Sequence, residues 1–171
     1  MINETDLLYC PACATPFGKL NQNVFICPNC KLHHYINPKP TNAIILENKK
    51  GEILFVVRAL DPHKGMLDLP GGFMDINETL EDSTRREVRE ELGIEIGTFS
   101  YVSSFHDEYE HGGLSSRTVC MLFHGELPEN TRIYPSDDAE SFLMIPKTQI
   151  PYNQLAFEGM KNALREVFDS L

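Results

Sequence analysis

One stretch constrains this chain more than any other: residues 71 to 94, which read GGFMDINETLEDSTRREVREELGI and hold five glutamates, two aspartates and three arginines. From about residue 79 to residue 92 the pattern predicts a helix. Thr79 stands at the N-cap with Asp82 at the capping-box position, and Gly93 stands where a helix C-cap belongs. At about 100° per residue, Glu90 lies about −60° from Glu87, and Glu91 about +40°. The three carboxylates therefore share one stripe, with Val88 and Leu92 on the neighbouring, core-facing side. Glu78 precedes Glu87 by nine residues, half a turn out of phase, so it reaches that stripe only from the loop before the helix. Like charges at this spacing weaken a helix slightly, and Arg85, Arg86 and Arg89 offset part of that. Taken alone, such a run is as readily a solvated face. An oxygen-rich stripe also suits a hard cation such as Mg²⁺.

The remaining composition narrows the partners. The chain has 171 residues and a formal net charge of −10, so it repels polyanions, which argues against bulk nucleic acid and anionic membrane as partners. A small phosphate compound held through a cation stays open. The start, Met1 to Asp6, is not a basic segment leading into an apolar run, and no apolar stretch approaches the ~20 residues that span a bilayer. The expected location is cytoplasmic, with no membrane partner.

Four of the five cysteines fall in two pairs, Cys10-Pro-Ala-Cys13 and Cys27-Pro-Asn-Cys30. Two such knuckles supply four soft ligands, the closed tetrahedral set of a structural zinc ion. The segment is too short to bury a core of its own, so metal would supply its stability. The strand-like Asn23-Val24-Phe25-Ile26 between the knuckles fits a zinc ribbon over residues 1–36. His33 and His34 follow as bystanders. Up to residue 40, Lys19, Lys31 and Lys39 stand against Glu4 and Asp6, so the ribbon is nearly neutral.

Beyond the extended Asn37-Pro38-Lys39-Pro40, Ala43–Leu46 and Ile53–Val57 read as a β-hairpin turning at Asn48–Gly51. Asp61–Gly65 reads as a loop and Leu67–Leu69 as a short strand. Phe99–Phe105 and Thr118–Phe123 read as strands separated by a polar loop over Asp107–Ser116. Phe142–Ile145 is a further strand, stopped by Pro146. Leu155, Met160, Ala163, Leu164, Val167 and Phe168 have roughly helical spacing. The pattern predicts an α/β (α+β) domain with a mixed sheet. Cys120, in an apolar strand, reads as an inert buried thiol, and His106, His111 and His124 show no ligand spacing.

Gly72, Glu78, Arg86-Glu87-Val88, Glu90-Glu91 and Gly93-Ile94 occupy nine positions over twenty-three residues that resemble the Nudix signature throughout. The resemblance covers residues 37–171 and implies an α/β/α sandwich. The cysteine pairs ahead of it resemble the zinc-ribbon branch that includes NADH pyrophosphatases. Family members hydrolyse a nucleoside diphosphate linked to another moiety. The resemblance implies Mg²⁺ or Mn²⁺ held by Glu87, Glu90 and Glu91, with Glu78 in a supporting or metal-linked role and Arg86 orienting a glutamate. It also implies a nucleotide-derived substrate, of the NADH, FAD or ADP-ribose class, and allows a homodimer. Glu140 resembles a downstream family glutamate, and it or a helix carboxylate would act as general base.

Candidates for substrate contact are Gly71 and Gly72, whose amides can approach a phosphate closely, Arg58 for a phosphate, Phe73 for a base pocket and Tyr109 for stacking. The sequence departs from the NADH pyrophosphatases, which carry Ser-Gln-Pro-Trp-Pro-Phe-Pro after the motif. This chain has no tryptophan, and reads Val102-Ser103-Ser104-Phe105-His106-Asp107 there. It also lacks the proline of many ADP-ribose hydrolases about sixteen residues beyond the motif. The rival expectation is a nucleotide-sensing regulator or binding module whose ribbon contacts nucleic acid or protein. The complete set of motif carboxylates favours the enzyme.

Overall fold

Two adjacent strands are apolar on both faces, and this sets the layering. In the computed structural model, which describes residues 2–3, 9–19, 21–129, 131–134 and 139–168, the strands in chain order are β1 (Ile2–Asn3), β2 (Val24–Ile26), β3 (His33–Tyr35), β4 (Lys39–Glu47), β5 (Glu52–Arg58), β6 (Leu67–Asp68), β7 (Phe99–His111), β8 (Leu114–Glu126) and β9 (Ala139–Pro146). Helix α1 spans Leu80–Leu92 and α2 spans Glu158–Phe168. Successive strand residues face opposite ways. Ala43, Ile45, Ile53 and Phe55 thus enter one core with Leu155, Met160 and Leu164. Ile44, Leu46, Leu54 and Val56 enter another with Val88 and Leu92. The sheet lies between α1 and α2, so the expected α/β/α sandwich is what forms.

The chain divides into two compact units, residues 1–39 with 108–117, and residues 40–107 with 118–171. In the larger one the β4–β5 hairpin turns as expected. Asn48 Oδ1 accepts from the amides of Lys50 (2.9 Å) and Glu52 (3.0 Å), and Gly51 takes φ 75°. Beside the turn Glu47 faces Ile53, while further along β5 it is β6 that pairs, Val56 with Asp68 and Val57 with Leu67. On its other edge β5 pairs with β9 along its length. β4 is then joined by the chain that follows β6: the Ile44 amide donates to Pro70 O (2.9 Å), the Asn42 amide to Gly72 O (2.9 Å), and Thr41 bridges Phe73. This exchange of partners lays residues 70–73 extended along β4 and directs them toward α1.

One expectation is corrected. Asp107–Ser116 is not a loop. β7 and β8 run thirteen residues each and turn only at Gly112 and Gly113, both at positive φ. Two consecutive left-handed residues give a turn whose twist matches the strands it joins. The outer part of the hairpin buries little apolar surface, its buried residues being Ser115 and Ser116, and so it shows no apolar alternation.

The smaller unit is built on β2 and β3, antiparallel with Phe25 opposite His34. Phe25 is buried and stacks on Phe17 at 4.9 Å. β1 runs parallel to β8 at Leu114 and Ser115. Among the described residues no helix is long and apolar enough to cross a membrane. Asp137 and Asp138, just before Ala139 and Glu140, lie outside the described residues, as do Met1 and the residues Glu4, Thr5 and Asp6 of the start.

Candidate active site and metal centre

Helix α1 is anchored at both ends. Thr79 Oγ1 accepts from the Asp82 amide (3.1 Å) and its hydroxyl donates to Asp82 Oδ2 (2.8 Å). Gly93 adopts the left-handed conformation, φ 68°, and its amide donates to Arg89 O. The Tyr134 amide then caps Leu92 O at 3.0 Å. Val88 and Leu92 are fully buried beneath, which turns the glutamate stripe toward residues 70–73.

Arg86 gathers that stripe. Its Nε donates to Glu78 Oε1 (2.8 Å) and its Nη2 to Glu78 Oε2 (3.0 Å), a two-pronged pair. Nη1 donates to Glu87 Oε1 (2.9 Å) and to Glu90 Oε2 (2.8 Å), and Nη2 also reaches Phe73 O (3.0 Å). Charge-assisted bonds of this kind are short and strong. The hydrogen bond from Arg86 holds the Glu78 carboxyl below its ordinary pKa, and these carboxylates raise that of Arg86. Glu78 thus meets the stripe from the loop, through Arg86. Glu91 is buried at 7% exposure, and its Oε2 accepts from the Gly71 amide at 3.1 Å.

The glycines make this approach possible. A Cβ on Gly72 would lie 2.5 Å from Glu87 Oε1. One on Gly71, at φ 146°, would overlap Asn42 O and come within 2.8 Å of Ala43 Cα. A carboxylate pressed against side-chain-free backbone, beside two more, is an all-oxygen donor set of the sort hard divalent cations select. The residues fit such an ion. Their oxygens must draw together to hold it, since among the described residues only the four cysteines bring three or more ligand atoms within 4.8 Å of one another. Glu90, with its side chain 45% exposed, has room to move.

Those cysteines form the second candidate centre. Cys10 Sγ lies 3.6 Å from Cys30 Sγ, and Cys13 Sγ lies 3.6 Å from Cys27 Sγ. A tetrahedron with Zn–S bonds of about 2.3 Å has edges of about 3.8 Å, so the donor set fits zinc. Each knuckle closes on a left-handed residue, Ala14 (φ 54°) or Lys31 (φ 62°), directly after its second cysteine. Hydrogen bonding with Thr15 pulls Cys13 down to about 5. At Cys30 the Leu32 amide favours the thiolate, but burial and the neighbouring thiols push it up to about 12. His33 and His34 take no part in the cluster: His34 stacks on Phe17.

The other candidates are placed as follows. Arg58 is committed within the fold, its Nη1 on Asp68 Oδ2 (2.7 Å), its Nε on Pro62 O (2.8 Å) and its guanidinium over the Phe157 ring. Burial raises the Asp68 pKa against the pull of Arg58. Phe73 sits beside the glutamates with its side chain partly exposed. Glu140 is exposed on β9, the unmatched residue where the register shifts opposite Val57 and Arg58, and its side chain makes no hydrogen bond or ion pair among the described residues. Tyr109 is half-buried on β7, in the smaller unit. Cys120 is buried, and burial pushes its thiol up to about 12. Two residues the sequence reading missed join the glutamate site, Asn42 and Ser83, hydrogen-bonded to each other at 2.9 Å. The one available signal was a polar residue at the edge of the apolar β4 run.

Comparison with known proteins agrees with this geometry. The sequence model of the Nudix domain matches residues 37–171. The NAD-capped RNA hydrolase NudC of Pseudomonas aeruginosa is 26% identical over 133 residues, 77% of this chain and 45% of that protein. The human mitochondrial NAD(P)H pyrophosphatase NUDT13 is 35% identical over 89 residues, 52% of this chain and 25% of its own length. The chain thus spans less than half the length of these curated relatives. A crystal structure of a NUDIX hydrolase from Nitrosomonas europaea superposes with a TM-score of 0.71 at 27% identity, covering 96% of this chain and 92% of that one. With the Nudix domain matched over most of its length and every motif carboxylate in place on α1 or in the loop before it, this chain belongs to the Nudix family.

Proposed function

We propose that this chain is a pyrophosphohydrolase. It cleaves the diphosphate bond of a nucleotide joined to another moiety, of the NADH, FAD or ADP-ribose class. The observation that carries this reading is the convergence of Glu78, Glu87 and Glu90 on Arg86, beside the buried Glu91 and against the bare backbone of Gly71 and Gly72. Its relatives point the same way, being named as hydrolases or pyrophosphatases.

In this reading Glu87, Glu90 and Glu91 hold Mg²⁺ or Mn²⁺, and Glu78 supports them. A cation held there would supply charge to offset the diphosphate and would lower the pKa of a water for attack on phosphorus. The protein supplies the rest. Arg86 keeps the carboxylates oriented by charge-assisted hydrogen bonds, and Gly71 and Gly72 let bare backbone come up against β4 and Glu87, their amides being the candidates for phosphate contact. A carboxylate takes the proton of the attacking water, either on α1 or Glu140. Phe73 contributes an apolar surface at the site's edge. Arg58, already tied to Asp68, and Tyr109 are the remaining candidates for substrate contact. Zinc on Cys10, Cys13, Cys27 and Cys30 organises a ribbon over residues 1–36, ahead of a hydrolase domain over 37–171. Thiolate ligands of this kind suit a reducing, cytoplasmic setting.

The test is hydrolysis of NADH, FAD, ADP-ribose, diadenosine polyphosphates and nucleoside triphosphates with Mg²⁺ and with Mn²⁺, products identified by mass. Turnover of one class, lost in Glu91→Gln, is the expected result. A folded, zinc-loaded protein inert toward the whole panel contradicts it. Sedimentation of the same sample reports whether the chain is a homodimer.

A further inference from the structure

We propose that Asn42 and Ser83, both outside the glutamate motif, form a positioning pair that sets the registry between the Gly71–Gly72 loop and helix α1, and through it the cation affinity of the carboxylate site. The inference rests on the reading of that site given above. Asn42 is 3% exposed and Ser83 fully buried. The Asn42 amide and side chain both turn to the loop: its backbone N–H donates to Gly72 O at 2.9 Å and its Nδ2 lies 3.4 Å from the same oxygen. Nδ2 also donates to Ser83 Oγ at 2.9 Å. The Ser83 oxygen accepts a second bond, from Arg86 Nη2 at 3.3 Å, and its hydroxyl faces Phe73 O at 3.5 Å. A continuous polar chain therefore runs from β4 to Gly72 and, through Ser83, to the guanidinium that holds Glu78, Glu87 and Glu90.

The orientation of the amide follows from its surroundings. Gly72 O can only accept, so the group facing it must be the NH₂. That leaves Asn42 Oδ1 on the other side, buried and without a partner. An orphaned buried oxygen is costly, and an apolar residue of similar size would avoid the cost. What such a residue would lack is the forked donor that ties strand, loop and helix together. The same spot is where the loop presses hardest on β4, since a Cβ at Gly71 would overlap Asn42 O. Asn42 thus acts on the site through Gly72, Ser83 and Arg86. Partners that orient metal ligands from one layer out contribute about 10- to 100-fold in affinity.

The experiment is Mn²⁺ binding to the zinc-loaded full chain, followed by the electron paramagnetic resonance signal of free Mn²⁺ and paired with a thermal melt of each sample. Asn42→Leu and Ser83→Ala are expected to weaken Mn²⁺ binding by about 10-fold or more, and the double variant to bind no worse than the weaker single one. Ile53→Val, a core change without polar consequences, keeps wild-type affinity. Should Asn42→Leu fail to fold, Ser83→Ala carries the same expectation. Folded Asn42→Leu or Ser83→Ala with wild-type Mn²⁺ affinity overturns the inference while leaving the hydrolase reading intact. A wild-type chain that takes up no Mn²⁺ overturns the metal-site reading and this inference with it.

Discussion

Gly71 and Gly72 are neighbours, yet a side chain fails at each for a different reason. At Gly72 the obstacle is Glu87 Oε1, the far end of a flexible side chain. Gly72→Ala should therefore fold, with a melting temperature near wild type, and lose activity by about tenfold or more because the displaced carboxylate is a candidate ligand. At Gly71 the obstacle is the β4 backbone, and φ is positive. Gly71→Ala should destabilise the larger unit by about 1–3 kcal/mol, read by urea titration. Acid sensitivity also belongs to single residues. Arg86 lowers the Glu78 pKa. At Glu47 burial works in the opposite direction, but Lys147 and His124 prevail and lower it. A carboxyl lowered in the fold stabilises fully above its ordinary value of 4.5 and loses that contribution as pH falls through the folded value. Below about pH 4.5 the melting temperature should accordingly fall more steeply in the wild type than in Glu78→Gln, the raised Asp68 and Asp107 carboxyls acting in the opposite sense in both. Identical acid profiles of the two proteins would contradict this.

Among the elements, α1 was legible almost to the residue because its signals are local: a cap, a four-residue apolar pair and a terminal glycine. Its attachment is measurable. Leu92 is fully buried in the core beneath the sheet, and Leu92→Ala should cost about 2–5 kcal/mol in chemical denaturation. A cost below about 1 kcal/mol would mean that the helix does not dock as described. The β7–β8 hairpin shows the opposite case. Its inner half could be read from apolar alternation. Its outer half could not, since paired backbone rather than buried apolar side chains holds it there. Arg58 was likewise read as free for phosphate because its partner, Asp68, sits across β5 and β6.

For the whole molecule, the two units are held together internally by different physics. The larger one has apolar cores on both faces of its sheet. The smaller one has Phe25 and four cysteines at its centre, too little apolar surface to offset chain entropy without metal. Stripping zinc with a chelator should open residues 9–36 to protease while residues 40–107 and 118–168 of the larger unit resist, and Cys27→Ser should reproduce this with zinc present. Equal protection of both regions after chelation would refute it. What the sequence determined alone was whatever depends on residues close along the chain: the capped helix, its carboxylate stripe, the cysteine knuckles and the unbroken apolar runs of β4 and β5. Only the tertiary structure decided that β4 trades β5 for residues 70–73, that Asp68 claims Arg58, and that Asn42 meets Ser83 across forty-one residues of chain. The reason is physical. A cap or a stripe carries its partners in its own sequence, whereas a polar contact between distant segments exists only once the core has brought their backbones together.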